Sequence, residues 1–333
     1  MTVTAFATGD ALTEKVWIEK ALDLGMDRSY FAQNGYVGED ENNIIIKVTD
    51  LARKKGDTAT IGAIGELTGS GVSGDGIMEG NEELLPTYDD NITLDQIRNA
   101  VRIEGAMTEQ RTSIALRQKA SNALGNWLAN KITQDTFDGL TLSPNRVVYG
   151  GDATSRATIE ASDYFTSTLI KKCTTIAGKV TPEIKPVTKA GMEVFVMTIA
   201  DDCGYDLAVS DSVYNQAMRE AMPRGADNPI FKNAYAKMHD TIIQKHKYIT
   251  TSATFGSAST IAGAENLFMG KGAGAWLFAK DKFWKEKTFD YDNSPGVCVG
   301  AIFGVGKLVF NSKDNAVIVV VTSRTNNASV AYA

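Results

Sequence analysis

"GELTGSGVSGDGIMEGNEELL", Gly65 to Leu85, admits two readings that lead to different folds. In the first, Gly69, Gly71 and Gly74 spell G-x-G-x-x-G, the spacing that lets backbone amides approach a pyrophosphate, and the chain is a soluble nucleotide-binding enzyme. That motif works between a buried strand and the opening of a helix. Upstream, "DTATIGAIGEL" offers only Ile61, Ile64 and Leu67 as large apolar residues, too few for a strand covered on both faces. Downstream, "DGIMEGNEELLP" sets Glu79, Glu82 and Glu83 where a phosphate would sit. In the second reading the stretch is the tip of an extended loop. Its glycines raise the entropy cost of ordering the backbone, which suits a segment that takes its order from elsewhere.

The flanks favour the second reading. "NIIIKVTDLARKKGD" predicts a strand from Asn43 to Thr49 and a basic turn at Arg53, Lys54 and Lys55. "NITLDQIRNAVRI" alternates at Ile92 and Leu94, slips by one residue, and resumes at Ile97, Asn99, Val101 and Ile103, the pattern of a β-bulge. Asn43 to Ile103 therefore reads as a long hairpin-like arm. A lone two-stranded ribbon is marginal in water, so the arm either folds back onto its own domain or is ordered by a neighbouring subunit.

Before the arm, "LTEKVWIEKALDL" predicts a helix with Val16, Trp17, Ala21 and Leu24 near one face. After it, "MTEQRTSIALRQKASNALGNWLANKITQDTF" predicts the longest helix, with Leu116, Ala120, Ala123, Leu124, Trp127, Leu128 and Ile132 turned to a core. "SDYFTSTLIKKCTTIAGK" predicts a second, with Phe165, Leu169, Cys173 and Ile176 on one stripe. "GMEVFVMTIAD" reads as a buried strand, and "DLAVSDSVYNQAMREAMPRGADNPIF" as one helix stopped by Pro223 and Gly225. Strand-like runs follow in "HKYITTSA", "AWLFA", "GVCVGAIFGVGKLVF" and "NAVIVVVTS". Helices and strands alternate without a βαβ beat, so the fold class is α+β.

Lys and Arg number 34 against 40 Asp and Glu, a net charge of -6, which argues against a chain built to grip nucleic acid. Three scattered cysteines, Cys173, Cys203 and Cys298, suggest packed thiols and no disulfide framework. No secretory signal opens the sequence, and the apolar run Ala316 to Val321 is strand-sized, so no membrane is expected. His239 and His246 lie seven apart where a helical metal pair needs four, and are expected at a surface or a strand edge. "DYDNSPG" fails as a calcium loop because Pro295 takes the glycine position and Ala301 the glutamate position. "GVGKL" lacks the upstream glycine and the Ser or Thr after lysine that a phosphate loop needs, and no serine sits in a G-x-S-x-G elbow. No catalytic residue, cofactor or metal is assigned.

Three stretches carry a resemblance: "EGNEELL" with "ITLDQIRNAV", "PRGADNPIF" (Pro223 to Phe231), and "DYDNSPGVCVGAIFGVGKLVFNSKDNAVIVVVTS" (Asp290 to Ser323). In their order and spacing the sequence resembles the major capsid proteins of tailed bacteriophages, whose shell fold is shared with herpesvirus capsids and encapsulin nanocompartments. The resemblance implies an N-terminal arm at 1–42, an extended loop at 43–103, a peripheral domain with a spine helix at 104–185, a mainly axial domain at 186–300, and C-terminal strands returning at 301–333. It further implies hexamers and pentamers of an icosahedral head enclosing double-stranded DNA without sequence-specific binding, assembled in a bacterial cytoplasm. A portal protein and separate scaffolding and decoration proteins would be the partners. On this reading Trp17, Arg53, Lys54, Lys55, Gly69, Gly71, Gly74, Glu79, Asn81, Glu82 and Glu83 are expected to touch neighbouring subunits. A nanocompartment shell protein is the nearest alternative.

Overall fold

A computed structural model describes residues 29–49, 56–65, 67, 69–111, 116–189, 191–221, 236–291 and 293–325. The expected helix around Trp17, the turn at Arg53, Lys54 and Lys55, and Pro223 to Phe231 lie outside these residues. In chain order come α1 (Tyr30–Gln33), β1 (Val37–Gly38), β2 (Ile45–Val48), β3 (Thr58–Ile64), β4 (Thr87–Thr93) and β5 (Asp95–Arg102). Then follow α2 (Ala106–Arg111), α3 (Leu116–Thr141), β6 (Val147–Tyr149), α4 (Ser167–Ala177), β7 (Val187–Lys189) and β8 (Met192–Ile199). The second half holds α5 (Asp201–Ser210), α6 (Ser212–Ala221), β9 (Ala236–Met238), β10 (Thr241–Lys245), β11 (Thr251–Phe255) and β12 (Ile261–Met269). It closes with β13 (Gly274–Phe289), β14 (Ser294–Lys307), β15 (Val309–Phe310), β16 (Lys313–Asp314) and β17 (Val317–Ser323).

Two mixed sheets organise the molecule, one in the order β1-β2-β13-β14-β5 and one in the order β6-β17-β12-β8-β10-β9, with β11 beside β12 and β7 beside β8. The run "AVIVVV" is explained by the second sheet. Val317 to Val321 are wholly buried between β12 and β6, and a strand covered on both faces needs no alternation.

Helix α3, about 39 Å long at 1.5 Å per residue, lies on β14. Ala120, Leu124, Leu128 and Ile132 recur every fourth residue on its buried face, which Phe137 and Leu140 extend. Thr133, Thr136 and Thr141 are buried there too, each donating its hydroxyl to the carbonyl four residues back at 2.8, 2.7 and 2.9 Å. Thr136 in turn accepts the indole N–H of buried Trp276 at 3.0 Å. Ala123, expected in the core, faces solvent, and Trp127 packs half-buried at the core's edge.

Three local expectations change. The phase slip before β5 is not a bulge: Leu94 is the step at which the chain leaves β3, its partner along β4, and joins β14. The single helix expected after Asp206 is two, and it begins earlier, at Asp201. The break is at Asp211, whose carboxylate accepts the amides of Val213 and Tyr214 at 2.9 and 3.1 Å and, from α4, that of Ser167 at 2.6 Å. An aspartate at this position satisfies helix-end donors that have no partner inside the helix. Finally, "HDTIIQKH" is strand β10 and its flanking turns, and the strand expected at His246 starts only at Thr251.

Candidate inter-subunit surface

Strands β3 and β4 pair from Thr58 with Thr93 to Ile64 with Thr87, and alternation divides their ribbon into two faces. Ala59, Ile61, Ala63, Tyr88 and Ile92 turn inward and share a small core with Ala275, Leu277, Leu308 and Phe310. The outward face is threonine, asparagine and aspartate with Gly62 and, at the far end, Ile64, and Thr60 donates to Asn91 at 2.6 Å. The ribbon's root is fixed by Leu94 N–H on Asp57 O at 2.7 Å and by Val309 N–H on Asp90 Oδ2 at 2.8 Å.

The close seat of the root depends on two glycines of β14. A Cβ at Gly304 would lie 2.3 Å from Thr93 O, and one at Gly306 would lie 3.3 Å from Ile92. These are the glycines of "GVGKL". Its lysine is also structural: Lys307 Nζ pairs with buried Asp314 at 2.7 Å and donates to Ser143 O at 2.8 Å, while Asp314 accepts the Asn145 amide at 2.8 Å.

Beyond Gly65, whose amide reaches Pro86 O at 2.8 Å, the described residues of the two chain segments form no strand. Gly69 donates its amide to Glu83 Oε2 at 2.8 Å and Gly80 its amide to Glu82 Oε2 at 2.8 Å. Asn81 donates its side-chain amide to Ile77 O at 2.9 Å. Gly71 and Gly74 hold φ of 63° and 64°, in the left-handed region, and Glu79 stands exposed in the turn before Gly80. The loop's own carboxylate thus takes the amide that a bound phosphate would have used, the strand before it is exposed on one face, and no helix follows, so the nucleotide reading fails.

Sequence reasoning missed the most telling residues of this loop. Ile64, Leu67, Ile77, Met78, Leu84 and Leu85 are all exposed, Leu84 at 87% and Ile77 at 73%. Apolar side chains scattered singly are ordinary, whereas six of them exposed on one loop make it the candidate contact surface. The signal was legible as "GIM" and "ELLP" inside a polar, glycine-rich stretch. From Gly56 to Ile97 the chain also has acidic residues but no Lys, Arg or His.

The remaining candidates are structural. Cys173 and Cys203 are buried, and burial pushes their thiols up to about 12 and about 11. His239 sits in the turn before β10 with φ of 46°. His246, expected at a surface or a strand edge, directly follows β10 and is half-buried, stacked on Phe137 at 4.8 Å and 4.6 Å from Tyr30, ring centre to ring centre. Burial first, and the charge of Lys247 second, lower its pKa to about 4. Its Nδ1 accepts the Tyr248 amide at 3.2 Å. Among the described residues no group of three or more His, Cys, Asp or Glu is placed to hold a metal ion.

The phage capsid protein family matches this chain over residues 5–143 and 140–325. The chain belongs to that family. It is 28% identical to the major capsid protein of Pseudomonas phage KPP25 over 84% of this chain and 85% of that one. The capsid of Ralstonia phage GP4 superposes with a TM-score of 0.80 at 26% identity, covering 98% of this chain and 99% of its own. The capsid of cyanophage Pam1 follows at 0.78 and 22% identity, covering 90% and 93%. This phage capsid protein therefore has the α+β shell fold expected from its sequence, and it is a major capsid protein of the virion.

Proposed function

We infer that this capsid protein builds an icosahedral phage head from hexamers and pentamers of itself, enclosing double-stranded DNA, without catalysis or cofactor. The observation that carries the reading is the contrast along one ribbon: its root is packed on its own chain, while Ile77, Met78, Leu84 and Leu85 beyond it stand half or more exposed. A second copy supplies their cover. A segment ordered on a neighbour buries large area at modest affinity per contact, which suits a shell that must correct its errors while it closes.

On this reading Gly69, Gly71, Gly74, Glu79, Asn81, Glu82 and Glu83 lie against the neighbour, joined by Trp17, Arg53, Lys54 and Lys55. The extended loop is 43–103, between an arm at 1–42 and a peripheral domain at 104–185. The axial domain is mainly 186–300, with strands returning at 301–333. A portal protein occupies one vertex, separate scaffolding and decoration proteins act during assembly, and assembly takes place in the host cytoplasm. The encapsulin alternative has the weaker support, because the relatives are capsids of phages.

Electron microscopy of particles purified from cells making the chain tests this. The expected result is closed shells with a portal vertex when the portal protein is co-expressed. Shells loaded with enzyme cargo, or a monodisperse monomer at every concentration, would overturn it.

A further inference from the structure

The sheet β1-β2-β13-β14-β5 turns one face to α3 and the core. Along β14, Val297, Val299, Ala301 and Phe303 lie on that face, so the even-numbered residues between them point the other way. At one end of this outer face Gly304 and Gly306 seat the chain's own ribbon. At the other end, cross-strand rows set Arg98 beside Gly300 and Phe283, and Arg102 beside Gly296 and Lys287, with Lys285 in the row between.

The two glycines show how these rows are filled. A Cβ on Gly300 would lie 2.6 Å from the ring of Phe283 and 2.8 Å from Arg98 Cγ, and one on Gly296 would lie 3.0 Å from the ring of Phe289. Both rings therefore lie across β14. Arg102 and Lys287 stand over the Phe289 ring, 4.4 and 5.0 Å from its centre, and Arg102 donates Nε–H to the Ser294 hydroxyl at 2.9 Å. Arg98, Arg102, Lys285 and Lys287 are all exposed, and the rows hold no Asp or Glu. Glu286 falls on the opposite face, where its carboxylate accepts the Trp284 indole N–H at 2.7 Å. The result is a cationic surface of about 14 by 10 Å, floored by two phenylalanine rings.

The loop tip carries the complement. Asp75, Glu79, Glu82 and Glu83 are exposed there among Ile77, Met78, Leu84 and Leu85, on a segment without a cation. We propose that the cationic face of β5, β14 and β13 receives the acidic tip of a second copy, an inference that rests on the tip meeting a neighbour. The carboxylates meet the four cations, and the tip's apolar side chains meet the phenylalanine rings and the aliphatic stems of the lysines. Nucleic acid phosphates satisfy the charges but leave the tip's apolar side chains uncovered. Tip and face are different patches of one chain, so the contact is heterologous, and a heterologous contact whose rotation closes makes a ring. Ionic attraction steers the docking and weakens as salt rises.

Charge reversal in the full chain tests this. Asp75→Lys with Glu79→Lys reverses the tip, and Lys285→Glu with Lys287→Glu reverses the face. All four positions are exposed, so the unassembled variants should melt as the wild type does. Each reversal is expected to lower particle yield at least about tenfold, because like charges set against each other cost more than one tenfold step in affinity. Combining the two reversals in one chain should recover most of the yield. Mixing the two defective chains should restore association, read by light scattering, because each tip then finds an opposite face on another copy. A mixture that stays dissociated while the combined chain recovers places the tip on its own chain and overturns the proposal. Full yield from the face-reversed chain, or no recovery in the combined chain, also overturns it. Face-reversed particles of full yield that retain less DNA assign the face to nucleic acid and overturn it as well. If the reversed face folds poorly, Lys285→Gln with Lys287→Gln is the milder variant and should lower the yield severalfold. A wild-type chain that forms no particles sinks the shell reading itself, whereas particles lost to tip reversal but not to face reversal sink only this landing site.

Discussion

At Gly304 an added methyl group would meet a carbonyl oxygen, Thr93 O, and a backbone atom inside a sheet has nowhere to retreat. Gly304→Ala is expected to loosen the ribbon's root and cost roughly 1–3 kcal/mol. Gly62, whose nearest neighbour would be Tyr88 O at 3.9 Å, should tolerate the same change in ribbon anchoring, and urea unfolding of the two variants side by side checks the contrast. His246 gives a pH signature. Its folded value of about 4 lies below the ordinary 6.5, so the fold prefers the neutral ring. The stability tied to that preference is complete above pH 6.5 and is lost as pH falls towards 4. Protonation also removes the lone pair that accepts the Tyr248 amide. Thermal melts from pH 7 to pH 4 should fall less steeply for His246→Asn than for the wild type. At Asp211 burial raises the carboxyl, but hydrogen bonds from Ser167, Tyr214 and Val213 outweigh it and leave the pKa below the ordinary 3.8. Asp211→Ala strips acceptors from the starts of α4 and α6 together, an expected loss of about 2 kcal/mol by denaturant titration.

The ribbon is an element in two parts, and its parts answer to different partners. Removing Gly69 to Gly80 leaves the packed root intact, so the shortened chain should stay soluble with an unchanged monomer melting temperature, while particle yield and the heat stability of particles fall. Particles of normal yield and stability would mean the tip makes no contact that matters. Elements of this kind were legible in the sequence to different depths. The long helix announced itself through Leu124, Leu128 and Ile132, because one buried face at helical spacing needs no tertiary information. The single slip in "NITLDQIRNAV" was visible but ambiguous: a bulge and a change of partner strand both shift the phase by one, and only the pairing of β5 with β14 separates them. Asp211 was unreadable as a break, since an aspartate inside a helical pattern looks like any exposed polar residue until the Ser167 amide is brought beside it.

Over the whole molecule, the α+β class and the capsid resemblance followed from the order of motifs, whereas the joints between elements did not. Lys307 and Asp314 form such a joint, tying the end of β14 to β16 and to the segment after α3 through Ser143, Asn145 and Arg146. Two charges seven residues apart in sequence predict nothing by themselves, since their meaning comes from burial. Lys307→Met leaves Asp314 buried without its cation and is expected to cost about 3 kcal/mol, read from the unfolding midpoint of the unassembled chain. The cation-free stretch from Gly56 to Ile97 has a practical corollary. Trypsin releases Gly56 to Arg98 as one uncut peptide, and amine-directed cross-linkers find nothing on it to seize. A search for the neighbour that meets this loop must therefore activate its carboxylates, and the partner lysines those reagents capture will mark the landing point on the adjoining copy.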